Sequence, residues 1–118
     1  MTEPICEVII TADSEDWLVG FTRSLVADRL VACGQHFAPI RSIYRWDNSI
    51  HDDREVRVAL HTRASLVQQI IDRTRREHPY EVPCVLALQV EAGNPAYVQW
   101  VISETTEPGI DHRSNDSF

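Results

Sequence analysis

The run from His78 to Pro83 gathers the side chains of this sequence that are best suited to chemistry. Within four positions it places an imidazole, a phenol and a carboxylate, at His78, Tyr80 and Glu81. The two prolines of the run fix their own φ angles and push each preceding residue out of the helical region, which predicts a stiff corner between a helix and a strand. Such connections often carry binding sites. A helix stop followed by a strand start explains the same residues, and both interpretations stay open.

A metal site is the first chemistry that these residue types suggest. The chain has three cysteines and five histidines, and thiolate with imidazole ligands suits copper or zinc. No CxxC or HxxxH spacing occurs, so spacing alone is a weak indication of a preformed site. Cys6 and Cys84 lie in apolar runs and are expected in the core, whereas Cys33 at a helix-to-strand corner is expected to be partly exposed. His36 and His112 are expected in solvent.

Two other kinds of site remain open. Cys33 and His78 could form a thiolate–imidazole pair with Glu81 orienting the ring, but the sequence has no nucleophile elbow and no pattern of paired carboxylates, so we expect no enzyme. A small-molecule pocket between subunits, with aromatic walls and a few polar groups, is the other candidate. Packing of the same aromatic residues at a protein interface is the alternative. The expected lining of this pocket is Tyr44, Trp46, Glu55, His78, Tyr80 and Glu81.

Composition narrows the class of protein. The net charge is −7, which argues against partners such as nucleic acid or an anionic membrane surface. All eleven cationic residues are arginine, so neither a Schiff-base lysine nor a P-loop lysine is available. Neither an apolar run of membrane-spanning length nor a leader-like pattern is present, and the odd number of cysteines argues against a disulfide framework. We therefore expect a cytoplasmic protein with reduced thiols.

Apolar periodicity predicts the elements that position these side chains. Val56, Val58 and Leu60 alternate with Glu55, Arg57 and His61, as in a half-buried strand, and a turn at 47–49 joins this strand to the extended region before it as a hairpin. The predicted order is β-α-β-β-α-β-α, with strands over 5–11, 34–46, 54–62 and 83–91, long helices that begin after Asp13 or Ser14 and near Leu66, and a short helix opened by Asn94 and Pro95.

This order predicts an α+β fold, a ferredoxin-like split βαβ sandwich with one four-stranded sheet and a short C-terminal helix. The last strand, apolar on both faces, is expected to be covered twice. Both long helices would lie on one face of the sheet, leaving the other face bare. A bare face and a hairpin too long for a lone domain call for self-association. We place the domain at residues 1–104 and expect the polar stretch 105–118 to be a mobile tail.

Several runs of the sequence, taken together, resemble the CutA divalent-cation-tolerance family. The resemblance extends in order from about Ile5 to Trp100. It implies a ferredoxin-like subunit in a tightly packed homotrimer, similar in architecture to the PII signalling proteins. It also implies a link to tolerance of copper and other divalent cations, with no established catalytic activity. The runs that carry it are Leu30–Cys33, Ile40–Trp46, Glu55–Val56, Thr62–Arg63, His78–Pro83 and Gly93–Pro95, with Tyr97 and Trp100.

The resemblance implies that Cys33 and His78 are the copper ligands, with no cofactor obligatory. Four positions depart from the family pattern. Ile10 stands where a second thiol is sometimes found, Ser49 and His61 where lysine is common, and Cys84 where glutamate is common. A pocket that needs lysine to hold an anion is therefore not expected, whereas His61 and Cys84 could add soft ligands.

Three functions follow from these observations. The first is a trimeric protein of divalent-cation tolerance with weak binding of a copper-type cation. The second is a PII-like sensor that binds a small molecule at clefts between subunits. The third is a structural trimer with no ligand.

Overall fold

The computed structural model describes residues 3–107, apart from the side chain of Ala38. The predicted order of elements and the α+β class are confirmed, and a single 3-10 turn is added before the second helix. The elements are β1 (Ile5–Ala12), α1 (Glu15–Ala27), β2 (Cys33–Trp46), β3 (Ser49–Arg63), the 3-10 turn (Ala64–Leu66), α2 (Val67–Glu77), β4 (Val85–Gln89) and α3 (Pro95–Glu104).

One four-stranded sheet has the strand order β2-β3-β1-β4, with every neighbouring pair antiparallel. This is the order of a split βαβ fold, because β1 and β4 pair in the sheet while helices connect the halves. β2 and β3 form a long hairpin in which Trp46 pairs with Ser49. Asp47 and Asn48 close the hairpin with φ angles of 51° and 63°. Positive φ at both central residues matches the twist of the two strands, and asparagine and aspartate tolerate it.

The core lies between one face of the sheet and the helices α1 and α2. Alternate residues of β1 and β3, such as Val8, Ile10 and Val58, are fully buried there. They pack against Leu18 of α1 and Ile70 of α2. Because side chains alternate along a strand, these residues face α1 and α2, and Ile9 and Ala59 on the opposite face are buried as well.

The length and burial of β4 differ from the sequence prediction. The strand was expected over 83–91 with both faces covered, but Leu86 and Leu88 are 63% and 55% exposed. Cys84, expected in the core, is exposed just before the strand. The reason is that β4 lies at the sheet edge and that α1 and α2 cover only the other face. Cys6 is buried and Cys33 is half-buried, as expected.

α3 lies against β1 and β3. The Asn94 side chain caps the start of α3 by accepting a hydrogen bond from the Ala96 amide at 3.1 Å. The expected proline follows as the first residue of the helix. Beyond the helix, Thr105 and Thr106 are buried. The predicted boundary at residue 104 stays a prediction, and positions 108–118 with His112 lie outside the described residues. Within residues 3–107, no helix is long and apolar enough to cross a membrane.

Candidate functional site

Five residues that the sequence predicted for a ligand pocket line one open cavity of about 520 Å³. Tyr44 and Trp46 come from β2, Glu55 from β3, and Tyr80 and Glu81 from the connection between α2 and β4. The volume falls in the range of about 300–1,000 Å³ that is usual for small-molecule sites. The fold therefore brings together side chains that are up to 37 positions apart in the chain (44 to 81), and their role in binding stays a prediction.

His78 holds the wall of this cavity in place. It ends α2 with an extended backbone, φ −67° and ψ 138°. Its Nε2 lies 2.8 Å from the Thr11 carbonyl oxygen, and the Tyr80 amide donates to its Nδ1 at 3.0 Å. These partners assign the proton to Nε2 and engage both ring nitrogens. The buried ring thereby ties the corner to β1 and directs Tyr80 toward β3, where its hydroxyl donates to Glu55 at 3.2 Å.

The cavity has a negative electrostatic environment. Burial, together with the negative charges of Glu55 and Asp13, raises the pKa of Tyr80 well above its usual value. A hydrogen bond to Asp53, which the Tyr44 hydroxyl donates at 2.5 Å, likewise raises the pKa of Tyr44. Both phenols therefore keep their protons at neutral pH and act as hydrogen-bond donors.

A second group of polar side chains surrounds Cys33 at the start of β2. Its Sγ lies 3.3 Å from Tyr97 Oη and 3.6 Å from His61 Nδ1. Tyr97 Oη is 2.5 Å from the same Nδ1, and His61 Nε2 is 2.8 Å from Glu7 Oε2. Burial, together with the hydrogen bond to Cys33 and the negative charge of Glu7, raises the pKa of Tyr97 to about 12. We call these four residues the Cys33 cluster.

The strand register explains how the Cys33 cluster forms. Cys33 is paired with His61, and His61 is paired on its other side with Glu7. Directly opposed residues on neighbouring strands point to the same face of a sheet, so the three side chains form a row across β2, β3 and β1. Tyr97 reaches this row from α3, which covers that end of the sheet.

The two predicted metal ligands, Cys33 and His78, lie at different positions along β1. The Cys33 row crosses β1 at Glu7, whereas His78 is bonded to Thr11. Four strand residues span about 13 Å at roughly 3.3 Å per residue. Within one chain these side chains do not share a cation, and the assignment of His78 as a ligand stays a prediction. In the described part of the chain, no group of three or more His, Cys, Asp or Glu side chains is placed to hold a metal ion.

Comparison with known proteins identifies the family. The profile of the CutA1 divalent ion tolerance protein family matches residues 6–104. The human protein CutA is 40% identical over 108 residues, which are 90% of this chain and 60% of that protein. The chain therefore spans about 60% of the length of this curated relative. The divalent-cation tolerance protein CutA of Pyrococcus horikoshii is 32% identical over 100 residues, which are 83% of this chain and 97% of that protein.

Solved structures agree with the sequence comparison. The crystal structure of CutA1 from Oryza sativa superimposes with a TM-score of 0.86 at 29% sequence identity. The superposition covers 90% of this chain and 97% of the rice chain. Sequence and fold together show that this chain belongs to the CutA1 divalent ion tolerance family.

Proposed function

We propose that this protein acts in divalent-cation tolerance by binding a copper-type cation weakly through the thiol of Cys33. The observation that carries the proposal is the placement of this thiol 3.6 Å from His61 Nδ1, with Glu7 bonded to the opposite ring nitrogen. Metal–sulfur and metal–nitrogen bonds of about 2.3 and 2.0 Å at a tetrahedral angle separate their two ligand atoms by about 3.5 Å. The observed separation fits that value.

The surroundings of His61 support the same assignment. A histidine that ligates a metal through one nitrogen commonly donates the other N–H to a carboxylate, which fixes the ring and raises its basicity. Glu7 occupies that position, and the His61 side chain is only 13% exposed. Tyr97 Oη lies next to His61 Nδ1 in this structure, so a cation can bind this nitrogen only if the hydroxyl moves away. The role proposed is binding, with no catalytic step, and no cation is needed for folding.

We further propose that the protein is a cytoplasmic homotrimer. The face of the sheet away from α1 and α2 leaves Leu86 and Leu88 more than half exposed, and the hairpin exposes Ile43 and Ile50 by 66% and 70%. Apolar exposure on this scale is typical of a protein interface. Cys6, Cys33 and Cys84 are all free thiols, which suits a reducing compartment. Light scattering should report the mass of three 13.5 kDa chains, and a monomer that persists at high concentration would contradict the assembly.

The metal proposal is tested by anaerobic titration of copper(I) against a chromophoric chelator of known affinity. We expect Cys33→Ser to weaken binding at least tenfold while the oligomer is retained. Cys84→Ser is the matched control, because Cys84 is an exposed thiol outside the Cys33 cluster. Equal affinities of Cys33→Ser and the native protein would remove the assignment. His78→Ala, measured in parallel, decides whether the second predicted ligand takes part.

A second candidate function is that of a PII-like sensor. It is supported by the single cavity that Tyr44, Trp46, Glu55, Tyr80 and Glu81 line together. Thermal-shift screens of metabolites and of metal ions separate the two functions, because a true ligand raises the melting temperature in proportion to the logarithm of its concentration over its Kd. A dose-dependent metabolite with no response to metal ions would favour the sensor. No change in melting temperature in either screen would favour a purely structural trimer.

A further inference from the structure

The lining of the 520 Å³ cavity has an unusual balance of groups. Three aromatic rings, those of Tyr44, Trp46 and Tyr80, are combined with the carboxylates of Glu55 and Glu81. Of the nine described residues that line it, none is an arginine or a histidine. Aromatic faces and carboxylates both attract positive charge, the former through the ring quadrupole. The composition of the wall therefore disfavours an anionic ligand and favours a cationic one.

Two of the nearby guanidinium groups are engaged elsewhere. Arg57 lies two positions from Glu55 on the same face of β3, but its Cζ is 5.3 Å from the centre of the Phe37 ring. Arg41 makes two hydrogen bonds, of 2.8 and 2.7 Å, to Asp52. Neither cation lines the cavity, so neither neutralises its carboxylates by direct contact. Burial raises the pKa of Tyr80 and the hydrogen bond to Asp53 raises that of Tyr44, and the negative charge of Glu55 contributes to both.

The wall is also ordered before any ligand arrives. The Tyr80 hydroxyl donates to Glu55 at 3.2 Å, and the Tyr80 amide donates to the buried ring of His78 at 3.0 Å. Tyr44 stacks on His51 with ring centres 5.3 Å apart and donates to Asp53. Rings whose orientation is already fixed lose little conformational entropy when a ligand binds, so they can form a cage around a cation.

The choice between a metal ion and an organic cation follows from the donor set. Hard divalent ions such as magnesium and calcium need about six oxygen ligands or retained waters. Among the described residues no group of three or more ligating side chains is placed for such an ion. An alkylated ammonium group is weakly hydrated and binds well between aromatic faces. We propose that this cavity binds a small organic cation of the alkylammonium class.

The inference rests on the second function proposed above, and it names the chemistry of the ligand that the cavity would take. Its test compares tetramethylammonium chloride with tert-butanol, a neutral molecule of similar size and shape. Binding is followed by NMR titration of the Trp46 indole N–H in the native trimer. We expect a saturable shift with tetramethylammonium and an apparent affinity at least fivefold above that for tert-butanol. Equal affinity for the neutral molecule, or no saturable shift, would overturn the inference.

Variants locate the site within the molecule. Glu55→Gln keeps the size of the side chain and should weaken tetramethylammonium binding at least threefold, and Glu81→Gln provides a second test at an exposed carboxylate. Glu91→Gln is the control, because Glu91 is exposed and does not line the cavity. Loss of binding in the control to the same degree as in Glu55→Gln would show a nonspecific charge effect and contradict the proposal. Displacement of tetramethylammonium by magnesium chloride at matched ionic strength would assign the site to a metal ion instead.

Failure of this inference is distinguishable from failure of the sensor function. A neutral or anionic metabolite that raises the melting temperature, and whose effect is lost in Trp46→Leu, would overturn the cation assignment and leave the cavity as a ligand site. Absence of any response in the metabolite screen and in the tetramethylammonium titration would overturn both. Circular dichroism and light scattering on each variant confirm that a loss of binding does not reflect a loss of fold.

Discussion

Replacing Gly34 by alanine should destabilise the protein because the new methyl group has no space. A Cβ at this position would lie 2.4 Å from Thr22 Cγ2 and 3.0 Å from Leu60 Cδ2. Carbon atoms prefer separations of about 3.5–4.0 Å, so the first contact is short by more than 1 Å. Thr22 and Leu60 are both buried, which limits their freedom to move away.

Two opposing effects determine how much Gly34→Ala changes the free energy of unfolding. Overpacking in a close-packed interior costs about 1–3 kcal/mol, and the short contact with Thr22 places this case in the upper part of that range. Replacing glycine by alanine also restricts the unfolded chain, which offsets about 0.5 kcal/mol. The net loss should be about 2 kcal/mol, or roughly an 8 °C fall in Tm for a domain of this size. Because Cys33 is adjacent, displacement of Gly34 should also weaken copper binding.

Calorimetry or denaturant unfolding at one fixed protein concentration measures the effect, since the proposed assembly would make Tm depend on concentration. Gly20→Ala is the matched control. A Cβ there would meet nothing within 4 Å, and alanine in an exposed helical position should stabilise the protein by about 0.5–1 kcal/mol.

A double-mutant cycle tests the physical cause. Serine in place of Thr22 lacks the clashing methyl group, so Gly34→Ala should cost less than half as much in the Thr22→Ser background as in the native protein. An unchanged cost in that background, or equal stabilities of the Gly34→Ala and Gly20→Ala proteins, would refute the steric explanation.

Three further predictions concern charge and protonation. Arg73→Met should lower the free energy of unfolding by about 3 kcal/mol, because it removes a buried guanidinium that lies 2.5 Å from Asp28. Arg41→Met is the control. It breaks an ion pair whose arginine side chain is 75% exposed, so the Tm should be unchanged in the same calorimetric experiment. Because the pKa of Tyr97 is raised to about 12 in the folded protein against an unfolded value of about 10, its contribution to stability is complete below pH 10 and declines as pH rises toward 12. Urea unfolding between pH 9 and 11 should therefore show a steeper loss in the native protein than in Tyr97→Phe. Copper affinity should fall as the pH is lowered, because protons compete with the cation for thiolate and imidazole ligands, and chelator competition should find this dependence reduced in Cys33→Ser.

The order of elements and the hairpin could be predicted because their signals are local. Alternation of apolar and polar residues over 54–62 identified β3, and Ser14 was one of two predicted caps for α1. The Ser14 side chain does accept a hydrogen bond from the Trp17 amide at 3.2 Å. The residues predicted to line a pocket between subunits could be singled out for a similar reason, although the cavity that they line is formed within one chain. Its residues lie in the hairpin and at the proline corner, where residue type and local geometry are informative even without a model of packing.

The Cys33 cluster could not be predicted, because it depends on one irregularity in the hairpin. Near the turn Trp46 pairs with Ser49, and a regular register continued from there would place Cys33 opposite Thr62. The register shifts between Phe37 and Ile40, where β2 contains one extra residue. A one-residue shift moves side chains to the opposite face, so Cys33 meets His61 instead. The sequence identified His61 as a soft donor but gave no means of placing the bulge.

The exposure of β4 could not be predicted for a different reason. An apolar strand in sequence is consistent with helices on both faces or with a protein partner on one of them. In the single chain Leu86 and Leu88 stay more than half exposed, because α1 and α2 lie on the opposite side of the sheet. Sequence pattern reports how apolar a surface is, and it does not report what covers that surface.

The most direct test of the proposed metal function is a crystal structure of the protein soaked with copper and measured at the copper absorption edge. We expect an anomalous peak about 2.3 Å from Cys33 Sγ, on the side of the thiol that faces His61 Nδ1. A peak beside His78 would support the second ligand that the family resemblance implies. Anomalous density confined to other side chains, such as the exposed thiol of Cys84, with none beside Cys33, would contradict the account.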